Sequence, residues 1–77
     1  MPVIHVYTAE GWLSERRKKL LIEKVTAAAV EAEGVPDTRE MTYVLVHEVG
    51  DGGWGFRGRQ LTKAMFEGLK PPEPKEP

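Results

Sequence analysis

One segment with apolar residues at helical spacing lies between two short apolar runs, and this order leaves the chain few possible folds. Apolar residues recur at helical spacing between a suitable N-cap, Ser14, and a suitable C-cap, Gly34; they are Leu20, Leu21, Val25, Ala28, Ala29 and Ala32. The pattern predicts a helix over about residues 14–33, with strands at Val3–Thr8 and at about Met41–Val49. Strand, helix and strand within about 45 residues form a β-α-β unit with parallel strands and a right-handed crossover. The sequence therefore predicts an α/β subunit built as a two-layer sandwich.

The second predicted strand is largely apolar on both faces. Its two alternating sets are Met41, Tyr43, Leu45 and Val49 on one side, and Thr42, Val44 and Val46 on the other. One helix covers only one face of a two-stranded sheet, so we expect another copy of the chain to cover the second face. The chain has only 77 residues and no cysteine, so no disulfide supplements its small core. We therefore expect a homo-oligomer.

Pro2 stands directly ahead of the first strand. A small second residue permits removal of Met1, which would leave Pro2 with a free secondary amine at the start of a strand. An α-amino group has a reference pKa of about 7.7–8.0. Burial beside a cation would lower that pKa toward the range of a general base at neutral pH. Pro2 is therefore a candidate catalytic residue.

The segment after the second strand is rich in glycine and proline. Gly50–Gly58 must bend sharply, and a short helix is possible over Leu61–Leu69. Pro71–Pro77 is charged and has no apolar anchor, so we expect a polyproline-II-like or disordered tail. The predicted organisation is one domain over residues 1–69, ending in a hairpin segment, and a tail over residues 70–77.

The composition argues against several functional classes. With 11 basic and 12 acidic residues the chain has no basic excess that would attract nucleic acid. No signal-like or membrane-spanning apolar run occurs, so we expect a cytoplasmic protein without a membrane partner. Gly50-x-Gly52-x-x-Gly55 matches a dinucleotide fingerprint, but no helix opens after it. His5 and His47 lie on neighbouring strands without a third ligand, so they are interpreted as ordinary sheet histidines. No cofactor or metal is expected.

An ordered set of short motifs resembles the 4-oxalocrotonate tautomerase family over about residues 2–58. The set comprises Pro2 on a strand, Glu10-Gly11, the helical stretch Lys18-Lys19-Leu20-Leu21-Ile22, then Glu48-Val49 and Trp54-Gly55-x-x-Gly58. The resemblance implies a β-α-β subunit whose strands pair across a dimer, and usually three dimers in a hexamer. It also implies that Pro2, freed of Met1, shuttles a proton between oxygen and carbon in an enol–keto conversion. Trp54 matches an aromatic residue that lines the site.

The chain departs from the family where the substrate's charges are bound. Trp12 and Leu13 stand where many of these tautomerases have an arginine, and Tyr43 stands where they have a second one. A carboxylate substrate needs a cation, commonly arginine. Arg57 and Arg59, beside the bend, and Arg39 are the candidate replacements, and of these Arg39 and Arg57 are included in the predicted site. The predicted site is therefore catalytic Pro2 with Arg39, Tyr43, Trp54 and Arg57 binding a small carboxylate.

Three functions remain open at this point. The first is a tautomerase that uses neutral Pro2 as a base on a small 2-oxo acid or a related unsaturated carboxylate. The second is a hydratase or dehalogenase of unsaturated acids, in which cationic Pro2 is the acid and a carboxylate activates water; Glu10 and Glu48 end the two strands and could position that water. The third is a non-catalytic oligomeric member of the family.

Overall fold

The computed structural model describes residues 2–66 and 68. The elements, in chain order, are β1 (Val3–Ala9), α1 (Glu15–Glu33), a 3-10 helix (Pro36–Met41), β2 (Tyr43–Val49), β3 (Trp54–Phe56), β4 (Arg59–Leu61) and α2 (Lys63–Phe66). β1 and β2 pair in parallel, from Val3 opposite Tyr43 to Ala9 opposite Val49. The predicted β-α-β unit is confirmed.

Both ends of α1 are capped as the sequence predicted. The hydroxyl of Ser14 accepts a hydrogen bond from the backbone N–H of Arg17 at 3.2 Å. At the other end Gly34 has a φ of 76°, and its N–H donates to the carbonyl oxygen of Val30 at 3.0 Å. Glycine takes this left-handed conformation at little steric cost. These caps fix where the crossover leaves and rejoins the sheet.

α1 covers one face of the sheet, which we call the helix side. The strand residues on this side are half-buried or buried: Ile4, Val6, Thr8, Val44 and Val46. Lys18 of α1 joins the helix to the sheet, because its Nζ lies 2.7 Å from a Glu15 carboxylate oxygen and 3.3 Å from Oε2 of Glu48. The sheet therefore has one covered side.

The opposite side of the sheet, which we call the open face, carries Val3, His5, Tyr7, Tyr43, Leu45 and His47. Its apolar side chains are widely accessible: Val3 is 58% exposed, Tyr7 61%, Tyr43 58% and Leu45 40%. Among residues 2–66 and 68, no apolar side chain is fully buried. One chain by itself thus covers only one side of its sheet, as the two-sided apolar pattern indicated.

The second strand begins later than predicted. Met41 and Thr42 do not belong to β2, because a 3-10 helix occupies Pro36–Met41 directly ahead of it. Two threonine hydroxyls stabilise this helix, because Thr38 Oγ1 donates to the Val35 carbonyl and Thr42 Oγ1 donates to the Thr38 carbonyl, each at 2.7 Å. Such local hydrogen bonds compete with strand pairing.

The predicted bend after β2 is a turn followed by a hairpin. Gly53 N–H donates to the Gly50 carbonyl at 2.9 Å, and a Cβ at Gly53 would lie 2.7 Å from Cγ1 of Val49, so only glycine fits there. β3 and β4 are antiparallel and are joined by Arg57 and Gly58, whose φ values of 54° and 77° are typical of a tight type I′ loop. The short α2 occupies part of the helix predicted at Leu61–Leu69.

The predicted tail at residues 70–77 lies outside the described residues, as does Met1. In the described part of the chain, no helix combines the length and the apolar character needed to cross a membrane.

Candidate active site

Pro2 lies at the end of the sheet where both parallel strands begin. Its carbonyl oxygen accepts a hydrogen bond from the backbone N–H of Tyr43 at 3.0 Å, and the residue is half-buried. This bond extends the β1–β2 pairing by one step and ties Pro2 to the first residue of β2. The position of the Pro2 nitrogen is thereby set by the sheet.

Two of the predicted binding residues lie at the same end of the sheet as Pro2. Tyr43 projects onto the open face beside Val3, its partner in the parallel register. Arg39 is exposed and belongs to the 3-10 helix that leads into β2. A proline, a phenol and a guanidinium therefore occupy neighbouring chain segments at the strand starts.

Trp54 and Arg57 lie at the opposite end of the same sheet. A shallow cleft there is lined by Ala9 and Glu10 at the end of β1, by Val49 at the end of β2, and by Trp54 and Leu61 of the hairpin. A seven-residue strand is about 20 Å long at about 3.3 Å per residue, so this cleft is far from Pro2. One chain does not bring Pro2 and Trp54 together.

Trp54 and Arg57 of the hairpin differ in their exposure. Trp54 is half-buried, and its indole Nε1 is shielded from solvent without a hydrogen-bond partner. A buried donor without an acceptor is unfavourable, commonly by about 1–3 kcal/mol. The guanidinium of Arg57 lies over the ring of Phe56, with its carbon 5.3 Å from the ring centroid. Arg57 is thus exposed at the tip of the hairpin.

The two strand-ending carboxylates are also remote from Pro2 in the same chain. Glu10 lines the cleft at the carboxyl end of β1, and Glu48 is bonded to Lys18. The hydrogen bond to Glu15 is the main reason that the pKa of Lys18 is raised above its usual value; desolvation opposes it, and Glu48 adds a further increase. Lys18 is thereby kept cationic, and Glu48 is engaged in an ion pair on the helix side.

The side chains of His5 and His47 are in direct contact. Nδ1 of His5 lies 2.7 Å from Nε2 of His47, and the two rings are stacked with centroids 4.9 Å apart. Tyr7 stacks on His47, with the ring centroids 4.5 Å apart. In residues 2–66 and 68, no group of three or more His, Cys, Asp or Glu residues is placed to hold a metal ion.

The separation of the site residues was not foreseen from the sequence, although the signal was present. Parallel strands begin at the same end of the sheet, so Pro2 and the start of β2 must be close to each other. A residue that directly follows β2 must lie at the opposite end of the sheet. Trp54 and Arg57 follow β2 directly. The predicted set therefore divides into a Pro2 group, with Arg39 and Tyr43, and a hairpin group, with Trp54 and Arg57.

Comparisons with known proteins agree on one family. Residues 2–64 match the family model described as "Tautomerase enzyme". The chain is 45% identical over 58 residues to a 2-hydroxymuconate tautomerase of Comamonas testosteroni, and 41% identical over 58 residues to that of Pseudomonas putida. Each match covers 75% of this chain and 87% of the relative. A probable tautomerase of Bacillus cereus is 37% identical over 62 residues, which is 80% of this chain and 97% of that protein.

A solved structure has the same fold. It belongs to a study of the 4-oxalocrotonate tautomerase isozymes from Methylibium petroleiphilum, with a TM-score of 0.69 and 39% sequence identity. The match covers 77% of this chain and 90% of the solved chain. These comparisons favour tautomerisation over the hydratase or dehalogenase alternative and over a non-catalytic module.

Proposed function

Because this chain belongs to the tautomerase family and is an isomerase of the 4-oxalocrotonate tautomerase type, we propose that Pro2, freed of Met1, is its general base. The observation that carries this proposal is the hydrogen bond from Tyr43 N–H to the Pro2 carbonyl, which fixes the residue at the start of the sheet. A fixed secondary amine can remove a proton from the enol oxygen and return it to a carbon of the same substrate. The reaction consumes no cofactor.

The proposed substrate is the enol of a small unsaturated 2-oxo acid. Two relatives are 2-hydroxymuconate tautomerases, which supports this class of compound. Its carboxylate requires a charged or polar donor near Pro2, and Arg39 and Tyr43 are on the segments that begin β2. A guanidinium binds a carboxylate through two parallel hydrogen bonds, and a phenol adds a single neutral donor.

The hairpin group completes the site from another copy. Pro2 and Trp54 are at opposite ends of one sheet, so a second copy running antiparallel beside the first would place its Trp54 and Arg57 near this Pro2. An apolar wall of this kind disfavours the charged ammonium and helps to keep the amine neutral. We propose a hexamer of three such dimers, with the dimer as the smaller alternative; the exposed Val3, Tyr7, Tyr43 and Leu45 support an assembly that covers them.

The test of Pro2 compares the free amine with a blocked one. Mass spectrometry of the purified protein should show loss of Met1. The pH profile of kcat/KM on a phenylpyruvate-like enol should rise with an apparent pKa of about 6–7.5, below the α-amino reference of about 7.7–8.0. Pro2→Ala keeps a primary amine and should lower the rate, whereas chemical blocking of the terminus should abolish it.

Two outcomes would contradict this role. If protein that retains Met1 were as active as protein that begins at Pro2, the free Pro2 amine would have no catalytic role. Titration that showed the Pro2 amine fully protonated at pH 7 would make it an acid, which is the chemistry of a hydratase or dehalogenase. Lys24→Ala, a change on the exposed surface of α1, serves as the matched control and should leave the profile unchanged.

A further inference from the structure

Three aromatic side chains lie together on the open face, which we call the ring cluster: His5 and Tyr7 of β1 and His47 of β2. His47 is the middle ring, 4.9 Å from His5 and 4.5 Å from Tyr7 between centroids, with interplanar angles of 12° and 14°. The two imidazoles are also joined edge to edge, with Nδ1 of His5 2.7 Å from Nε2 of His47. The cluster therefore lies in the middle of the surface that α1 leaves uncovered.

The short nitrogen–nitrogen distance limits how many protons the two histidines can hold. One nitrogen must donate and the other must accept, so only one of the two facing nitrogens carries a hydrogen. A first added proton is tolerated, because an imidazolium can donate to the neutral ring and the π face of Tyr7 is adjacent. A second added proton would set two N–H donors and two positive charges against each other, and the hydrogen bond would break.

Few other groups on the strands can offset these charges. β1 contains no Asp, Glu, Lys or Arg, and the one such residue of β2, Glu48, is bonded to Lys18 on the helix side. The titratable groups that share the open face with the two histidines are the phenols of Tyr7 and Tyr43. α1 packs against the other side of the sheet. The remaining surroundings, Val3 and Leu45, are exposed apolar side chains.

We propose that the ring cluster makes assembly through the open face pH-dependent. This inference rests on the assembly part of the proposed function, with further copies of this chain as the occupants of the face. Burial of the face against another copy favours the neutral, hydrogen-bonded pair, since a buried charge without a partner is costly. In separated chains the pair lies at an exposed surface, where water can solvate the second charge once the hydrogen bond has broken. Assembled copies thus bind fewer protons, and the equilibrium moves toward separated chains as the pH falls through the range in which histidine titrates, about pH 8 to 5.

The experiment measures assembly against pH in three proteins. Sedimentation velocity of the wild-type chain should give assembled particles at about pH 8 and a dissociation constant at least about tenfold higher at about pH 5.5, from the uptake of one extra proton. The double variant His5→Gln/His47→Gln keeps polar side chains that do not titrate, and its assembly should not change over the same range. Glu31→Gln removes a titratable group from the exposed surface of α1 and should behave as the wild type.

Circular dichroism at each pH distinguishes dissociation from unfolding. If the double variant does not fold, the single variant His47→Gln replaces it. The inference is overturned if wild-type assembly is constant between about pH 8 and 5, or if the variant dissociates in parallel with the wild type. A wild-type chain that is monomeric at pH 8 overturns it together with the proposed assembly. Loss of the Pro2 chemistry alone, with pH-dependent assembly intact, contradicts only the proposed catalytic role.

Discussion

At the scale of single residues, the positions of the two candidate carboxylate anchors are different in kind. Arg39 is exposed on a 3-10 helix close to Pro2 of its own chain. Arg57 stands at the tip of the hairpin with a φ of 54°, a conformation that is unfavourable for residues other than glycine and asparagine. From this position the guanidinium of Arg57 lies over the ring of Phe56.

Substitution of each arginine distinguishes the two anchors. Arg39→Ala or Arg57→Asn, whichever removes the true anchor, should lower kcat/KM by about 10–150-fold, because a hydrogen bond to a charged group contributes about 1.5–3 kcal/mol. Asparagine is the better replacement at residue 57, since it accepts a positive φ. Steady-state kinetics on a phenylpyruvate-like monoacid provides the measurement. If both variants keep the wild-type kcat/KM, neither arginine binds the carboxylate, and Tyr43 or backbone amides must do so.

At the scale of elements, the sequence predicted the parts that depend on strong local signals. The limits of α1 could be predicted from Ser14 and Gly34, because a hydroxyl N-cap begins a helix and a left-handed glycine ends it whatever surrounds them. The start of β2 was wrong by two residues, since the threonine hydrogen bonds that prolong the 3-10 helix depend on the fold around them. The relative position of the site residues was harder still. It depends on which ends of the parallel strands meet, and motif spacing along the chain does not express this.

The ion pairs of Lys18 give a test of how α1 is held on the sheet. In the folded chain the pKa of Lys18 is raised, mainly by Glu15 and further by Glu48. The ion pairs of Lys18 therefore add to the free energy of unfolding at pH values below the pKa that Lys18 has in the unfolded chain. This contribution is lost as the pH rises through the pKa that Lys18 has in the folded chain. Lys18→Met should therefore be less stable than the wild type at about pH 7, and the difference should shrink toward about pH 11. Urea unfolding at several pH values measures it, with Lys19→Met on the exposed side of α1 as the control. A difference that grew with pH would contradict the assigned ion pairs.

At the scale of the whole molecule, one chain is an incomplete structure. The open face exposes four large apolar side chains, and the described residues contain no fully buried apolar side chain. Burial of apolar surface is the main favourable term in folding, at roughly 25 cal/mol per Å². Under the proposed assembly, further copies would cover the open face and bring Trp54 beside Pro2.

A charge on the open face should prevent assembly. Leu45→Glu places a carboxylate among Val3, Tyr43 and the ring cluster, and the cost of burying this charge would raise the dissociation constant at least about 100-fold. Val35→Glu is the matched control, because Val35 is an equally apolar residue, 51% exposed, in the loop after α1. Light scattering at micromolar concentration should give a large particle for the control and a much smaller one for Leu45→Glu. Equal masses for the two variants would place the interface elsewhere.

The uncovered sheet also determines how a newly made chain reaches its active form. If the apolar side chains become buried only when copies meet, the last step of folding is bimolecular, and its rate rises with protein concentration. Dilute chains would then persist as loosely packed species that proteases can cleave. A cell that expresses this protein weakly would lose much of it to degradation, while strong expression would drive the chains rapidly into a protected form. The amount of active enzyme would therefore rise more steeply than the amount of protein synthesised.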